Sequence, residues 1–191
     1  MSSIRMATPE DAAAILAIYA PYIQNSNASF EMIVPTEKDF AKRLQKYLAE
    51  APWLVYQVDN IVVGYAYASP HRGRAAYQWN REVSVYVKAA YQRQGIAKKL
   101  YQVLLALLKI QGFSNALAGI VQPNPASTHF HQSLGFKLVG TYQKIGFKQG
   151  QWHDVNWYEA FLQTADFVPS KILTTKQLMD LPAYQKVIVD Y

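Results

Sequence analysis

Between Arg81 and Gly112 the hydrophobic period changes once, and a glycine stands at the change. Val83, Val85 and Val87 alternate with Glu82, Ser84 and Tyr86, the two-residue period of a strand. From Gly95 to Gln111 the apolar Leu100, Leu104, Leu107 and Leu108 follow helical spacing, and Gly112 stops the run. The joining segment reads Tyr91-Gln92-Arg93-Gln94-Gly95-Ile96-Ala97-Lys98-Lys99. A strand feeding a long helix through a short loop points to an α/β fold. Gly95 and Ala97 leave no bulk at the first helical turn. Free N–H groups there can approach an anion, and the helix dipole favours one. Arg93, Lys98 and Lys99 add positive charge, so the segment reads as a pyrophosphate site.

The rest of the chain fills in around this unit. Ile4 to Ala7 reads as a short strand. Thr8-Pro9-Glu10-Asp11 opens a helix predicted to run to about Asn25, with Ala14, Ile15, Ile18 and Tyr22 at helical spacing. Thr36-Glu37-Lys38-Asp39 caps a second helix, which must stop before Pro52. Trp53 to Val58 and Ile61 to Ser69 form a hairpin around Asp59-Asn60. Arg81 to Val87 is the next strand. Beyond the long helix come a buried strand from Asn115 to Val121, a short helix from Asn124 or Pro125 to Leu134, and strands Phe136 to Phe147 and His153 to Leu162. The predicted order is β-α-α-β-β-β-α-β-α-β-β: one α/β domain over residues 1–164, with a mixed central sheet flanked by helices. Residues 165–191 read as an appended extension with a helix from Thr174 to Leu181.

Bulk properties set limits. The 191 residues suffice for one domain with a real core. Lys and Arg outnumber Asp and Glu by 19 to 13, a net +6, which suits an anionic partner. The charges are dispersed, with no polybasic arm, so nucleic acid is not the expected partner. The chain has no cysteine, which excludes disulfides, Cys-ligated zinc and a Cys acyl-enzyme. The N-terminus lacks the apolar core of a signal peptide, and the longest apolar stretch, Val103 to Leu108, is too short to cross a bilayer. A cytoplasmic protein without membrane contact is expected. His129 and His131 make a poor metal pair with no third ligand, so no metal is expected.

Two motifs in order carry a resemblance. Gln92-x-x-Gly95-x-Ala97 resembles the coenzyme A pyrophosphate loop of the GNAT superfamily of acetyl-CoA-dependent N-acetyltransferases. Asn124-Pro125-Ala126-Ser127 through His131-Gln132-Ser133-Leu134-Gly135-Phe136 resembles its second signature. Pro52-Trp53-Leu54-Val55, Gly64-Tyr65-Ala66-Tyr67-Ala68, Ser84-Val85-Tyr86-Val87, Tyr101, Gln111-Gly112-Phe113 and Gly150-Gln151-Trp152-His153-Asp154-Val155 are similar to the phosphinothricin and methionine-sulfoximine acetyltransferase group. The resemblance spans roughly residues 3 to 162. It implies a single GNAT-type domain that moves an acetyl group from acetyl-CoA, as co-substrate, to the α-amino group of a small amino-acid-like substrate.

The resemblance also implies roles. Backbone groups of Val85, Tyr86 and Val87 would pair with the pantetheine arm, and Arg93, Gln94, Gly95, Ile96, Ala97 and Lys98 would hold the pyrophosphate. Asn124 and Ser127 would touch the cofactor, although Asn124 also reads as an N-cap. Glu82 stands at the position of the group's general base; an ammonium has no lone pair until it loses a proton. His131 takes the place of a tyrosine that donates to the leaving thiolate in many members; acid, relay and substrate ligand remain open. Substrate contacts are expected from Tyr86 beside Glu82, from Phe30 as an apolar wall, and from the Arg72-Gly73-Arg74 loop, where the arginines would grip carboxylates. The group's members are dimers, with Lys148 and Trp152 as candidates to reach across the interface. A polyamine or protein N-terminal acetyltransferase, and a non-catalytic acyl-CoA or nucleic-acid-binding module, are the alternative readings.

Overall fold

The computed structural model describes residues 2–164, 166 and 168–189. Seven strands form one mixed sheet, β1 (Ser2–Met6), β2 (Trp53–Val58), β3 (Ile61–Pro70), β4 (Asn80–Val87), β5 (Asn115–Val121), β6 (Lys137–Lys148) and β7 (Gln151–Phe161), in the spatial order β1-β2-β3-β4-β5-β7-β6. Helices α1 (Ala12–Asn25) and α2 (Glu37–Glu50) cover one face; α3 (Ile96–Gln111) packs on the other. Helix α4 (Pro125–Ser133) follows β5, and α5 (Thr175–Met179) and α6 (Pro182–Val189) close the chain. The predicted order of elements holds throughout residues 2–164, with ends moved by a residue or two where strands fray into turns.

Two cores lie on the two faces of the sheet. On the α3 face Leu100, Leu104 and Leu107, all fully buried, pack on Val63, Ala66 and Val83. On the α1–α2 face the core is aromatic: Trp53 stacks on Tyr67 with ring centres 4.1 Å apart, and Tyr65 stacks on Tyr86 at 5.3 Å. Alternation along β4 divides its residues between the two. Val83 and Val87 belong to the α3 core, while Tyr86 packs in the aromatic one.

The extension is partly built into the domain. Leu178 of α5 and Tyr184 of α6 join the α3 core, and Gln111 of α3 donates to the carbonyls of Glu50 and Leu173 at 2.7 and 2.6 Å. The predicted helix from Thr174 to Leu181 is α5, capped by the Thr174 hydroxyl, and a second helix follows it. Residues 1, 165, 167, 190 and 191, the last four within the predicted extension, lie outside the described residues.

The feature that makes a site is a split in the sheet. β4 and β5 are parallel and pair only from Asn80–Glu82 to Asn115–Leu117; beyond that they separate. β5 stays paired with β7 as far as Val121, and β4 stays paired with β3 as far as Val87.

Candidate active site

The split opens a cavity of about 560 Å³. One wall is β4 from Val83 to Val87, the other is β5 from Ala118 to Val121, and the start of α3 closes one end. Backbone pairing decides what β4 offers it. The Lys88 N–H donates to Val63 O at 2.8 Å, so in the alternating antiparallel ladder Tyr86 is hydrogen-bonded to Tyr65, and Val83, Val85 and Val87 turn their N–H and C=O groups toward the split. An extended ligand can add there as a strand would. The Val87 carbonyl is already engaged: it accepts from the Tyr22 hydroxyl at 2.6 Å and from Gln92 Nε2 at 3.3 Å. Val85 is thus the best-placed of the three expected backbone contacts. Tyr86 is a correction, because its backbone is spent on β3 and its ring is packed between Tyr19, Tyr22 and Tyr65. It borders this cavity and not the one beside Glu82.

The loop into α3 has an unusual backbone. Arg93 and Gly95 both have positive φ, 62° and 80°. Gly95 is the N-cap, and the helical bonding begins with Lys99 N–H to Gly95 O. The N–H groups of the turn before it have no intrahelical acceptor. Arg93, Gly95, Ile96, Ala97 and Lys98 line the cavity. Gln94 does not; its amide folds back onto Ala90 O at 3.2 Å.

At the other wall Asn124 caps α4, its Oδ1 accepting from the Ser127 N–H at 3.0 Å. Asn124 and Ser127 border the cavity, as does His131. His131 is buried, with Nδ1 2.8 Å from Ser127 O and Nε2 3.1 Å from the Tyr101 hydroxyl. A carbonyl can only accept, so Nδ1 carries the proton and Nε2 accepts from Tyr101. Burial pushes the imidazole below its ordinary pKa, against the opposing pull of the Ser127 carbonyl. Both nitrogens are satisfied and the ring is neutral. That geometry fits a bridge between α3 and α4 and leaves His131 without a proton to donate directly. Burial likewise pushes the Tyr101 phenol far up, so its hydroxyl stays protonated at the cavity wall.

A second cavity, about 350 Å³, adjoins the first. Ala28, Val83, Ser84, Gly119 and Val121 line both. Its walls are otherwise Phe30, Tyr142, Ile145, Val155 and Trp157, and its one carboxylate is Glu82. Phe30, expected as an apolar wall, lines this cavity. It lies so close to β6 that a Cβ on Gly146 would meet its ring at 2.3 Å; the glycine is there to admit it. Arg72, Gly73 and Arg74 do not line the cavity. Arg72 reaches its rim through Tyr142, Nη2 to hydroxyl 3.4 Å, while Arg74 starts an exposed 3-10 turn. Both arginines are exposed, and Arg72 alone is turned toward the cavity wall.

Lys148 also departs from expectation. It is buried, and its Nζ donates to three carbonyls, Ile23 and Ser29 at 2.7 Å and Ser26 at 2.9 Å. All three ammonium donors are used within the chain, so Lys148 fastens the segment carrying Ala28 and Phe30 instead of reaching outward. Trp152 is exposed.

His71 escaped the sequence reading. Its Nδ1 lies 2.9 Å from Glu82 Oε1. Ser69 pairs with Glu82, and His71 stands two residues on, just past the end of β3, close enough to reach back to it. The β3–β4 register was the missing signal. No cluster of three or more potential metal ligands occurs among the described residues.

Residues 4–157 match the family model described as an acetyltransferase (GNAT) domain. This chain belongs to the GNAT acetyltransferase family. Among its GNAT relatives is the phosphinothricin N-acetyltransferase of Streptomyces viridochromogenes, 38% identical over 156 residues, covering 82% of this chain and 85% of that one. The L-methionine sulfoximine/L-methionine sulfone acetyltransferase of Salmonella typhimurium is 32% identical over 158 residues, covering 82% and 92%. Among solved GNAT structures, a phosphinothricin acetyltransferase of Sinorhizobium meliloti in complex with acetyl-CoA superposes with a TM-score of 0.86 at 30% identity, covering 93% of this chain and 98% of that one. The chain is an N-acetyltransferase. No described helix is long and apolar enough to cross a membrane.

Proposed function

We propose that the chain transfers the acetyl group of acetyl-CoA to the α-amino group of a small amino-acid-like substrate, of the kind named for its phosphinothricin and methionine sulfoximine relatives. One observation carries this reading: the two cavities meet at the split between β4 and β5, with the anion loop at the end of one and Glu82 in the wall of the other. Acetyl-CoA would lie in the larger cavity, its pyrophosphate on the α3 N-terminus and its arm along Val85. The residues suit it, since the loop offers unpaired N–H groups beside Arg93 and Lys98. The amine would enter the smaller cavity. Apolar walls with a single carboxylate favour one small amine over a polyamine, which needs several anions along its length.

Glu82 takes one proton from the ammonium. The freed nitrogen forms a bond to the acetyl carbon, the C–S bond breaks with its electron pair on sulfur, and the second nitrogen proton neutralises the thiolate. The proton on Glu82 passes to solvent. Tyr101 and His131 hold each other at the cavity wall, the hydroxyl donating to Nε2, so the proton for the thiolate comes from the nitrogen itself. The reading keeps the chain in the cytoplasm, which suits a sequence without cysteine and is checked by cell fractionation.

Glu82→Gln is the test. Turnover on a panel of amino acid analogues, read by thiol release, falls about 10²–10⁴-fold near neutral pH. Acetyl-CoA affinity by calorimetry is unchanged, and raising the pH restores part of the rate because more amine arrives deprotonated. Wild-type turnover in the variant, or no turnover of any amine by the native chain, would count against the reading.

A further inference from the structure

We infer that His71 is a positioning residue for Glu82: it fixes the carboxylate through Oε1 and leaves Oε2 to receive the proton of the substrate ammonium. The inference rests on the reading of Glu82 as the base. An ionised carboxylate can only accept, so the 2.9 Å contact requires a proton on His71 Nδ1. The imidazole is largely covered, with 17% of its side chain exposed, against 34% for Glu82. Its ring is held on two sides, by Trp157 at 5.5 Å and Tyr77 at 6.3 Å between ring centres, both nearly perpendicular to it. Trp157 is itself a wall of the amine cavity. The imidazole is therefore anchored by packing before it meets the carboxylate, and a flexible Glu side chain gains a fixed direction.

This matters because the Glu82 carboxylate has no other side-chain partner among the described residues, and a carboxylate free to rotate would spend part of its time turned from the amine. Misplacing a reacting group by about 1 Å can cost on the order of a hundredfold in rate. Ser69 and Glu82 are opposite one another in the β3–β4 ladder and the pairing runs on to Pro70 and Arg81, so His71 follows directly on the last paired residue of β3.

The experiment uses the full chain with acetyl-CoA and the best amine found by thiol release. His71→Phe keeps a ring for Trp157 and Tyr77 to hold and removes the donor; His71→Asn keeps a donor near the Nδ1 position. We expect kcat to fall about 10- to 100-fold in His71→Phe, with the Kd for acetyl-CoA unchanged, and most of the rate to return in His71→Asn. Because His71 acts through Glu82, adding His71→Phe to Glu82→Gln should cost almost nothing more. An unchanged kcat in His71→Phe overturns the inference while leaving the base reading intact. So does an equal loss in both backgrounds, or a His71→Asn variant as slow as His71→Phe. Failure of the native chain on every amine would instead remove the reading of Glu82, and this role with it.

Discussion

A neutral histidine in a protein core makes stability depend on pH, and His131 is such a residue. Its folded pKa is lowered by burial from the ordinary 6.5. Between the two values the unfolded chain binds a proton that the folded chain refuses. Stability is therefore full above pH 6.5 and is lost as pH falls through the window below it. Asp11 cannot produce the same effect. Burial works against its charge, but Arg5 and Thr8 together hold its carboxyl below 3.8, so its contribution fades only at lower pH. The melting temperature should fall between pH 7 and pH 5, and the fall should shrink in His131→Gln, whose side chain has no proton to gain. Equal falls in both proteins would mean that another group carries the dependence. At this scale the sequence showed residue types but not partners. His131 and Lys148 look reactive in a list, and become a bridge and a fastener once Tyr101, Ser127 and three backbone carbonyls are around them.

The loop into α3 concentrates the fold's least replaceable geometry. Gly95 sits at φ 80° at the helix N-cap, where a side chain would face open space but the backbone would be strained. A bulky residue there costs roughly 1–2 kcal/mol through the left-handed backbone alone. Gly95→Val should therefore stay folded, given its position at a surface turn, and lose acetyl-CoA binding by at least tenfold as the loop relaxes and a side chain fills the anion's place. Calorimetry showing native affinity in a folded variant would remove the loop from the cofactor site. This element was legible in advance because its physics is local. A strand period, a glycine, a helix period and three cations all lie within one stretch of sequence. The arginine loop before β4 was not, since no local pattern says whether an exposed loop turns in or out.

Across the whole molecule, β6 ends the sheet with a 12-residue strand that is exposed along most of its length. Tyr142, Ile145 and Phe147 stand open there, with Trp152 of β7 packed against Phe147 at 5.3 Å. A long apolar edge strand is a surface that proteins normally cover. We propose that a second copy of the chain covers it, as the resemblance implied. Light scattering should give the dimer mass, and charged residues at Ile145 and Trp152 should shift it to the monomer; a native chain that runs as a monomer at micromolar concentration would end that proposal. Sequence by itself determined the order of elements, the two faces of β4 and the glycine-started turn into α3, because period, capping and glycine placement act over a few residues. Only the tertiary structure decided that β4 and β5 part after Glu82, that two cavities meet in the gap, that Tyr86 belongs to the core, and that His71 lies on Glu82. Those follow from strand register and long-range packing, which join residues that the sequence keeps far apart.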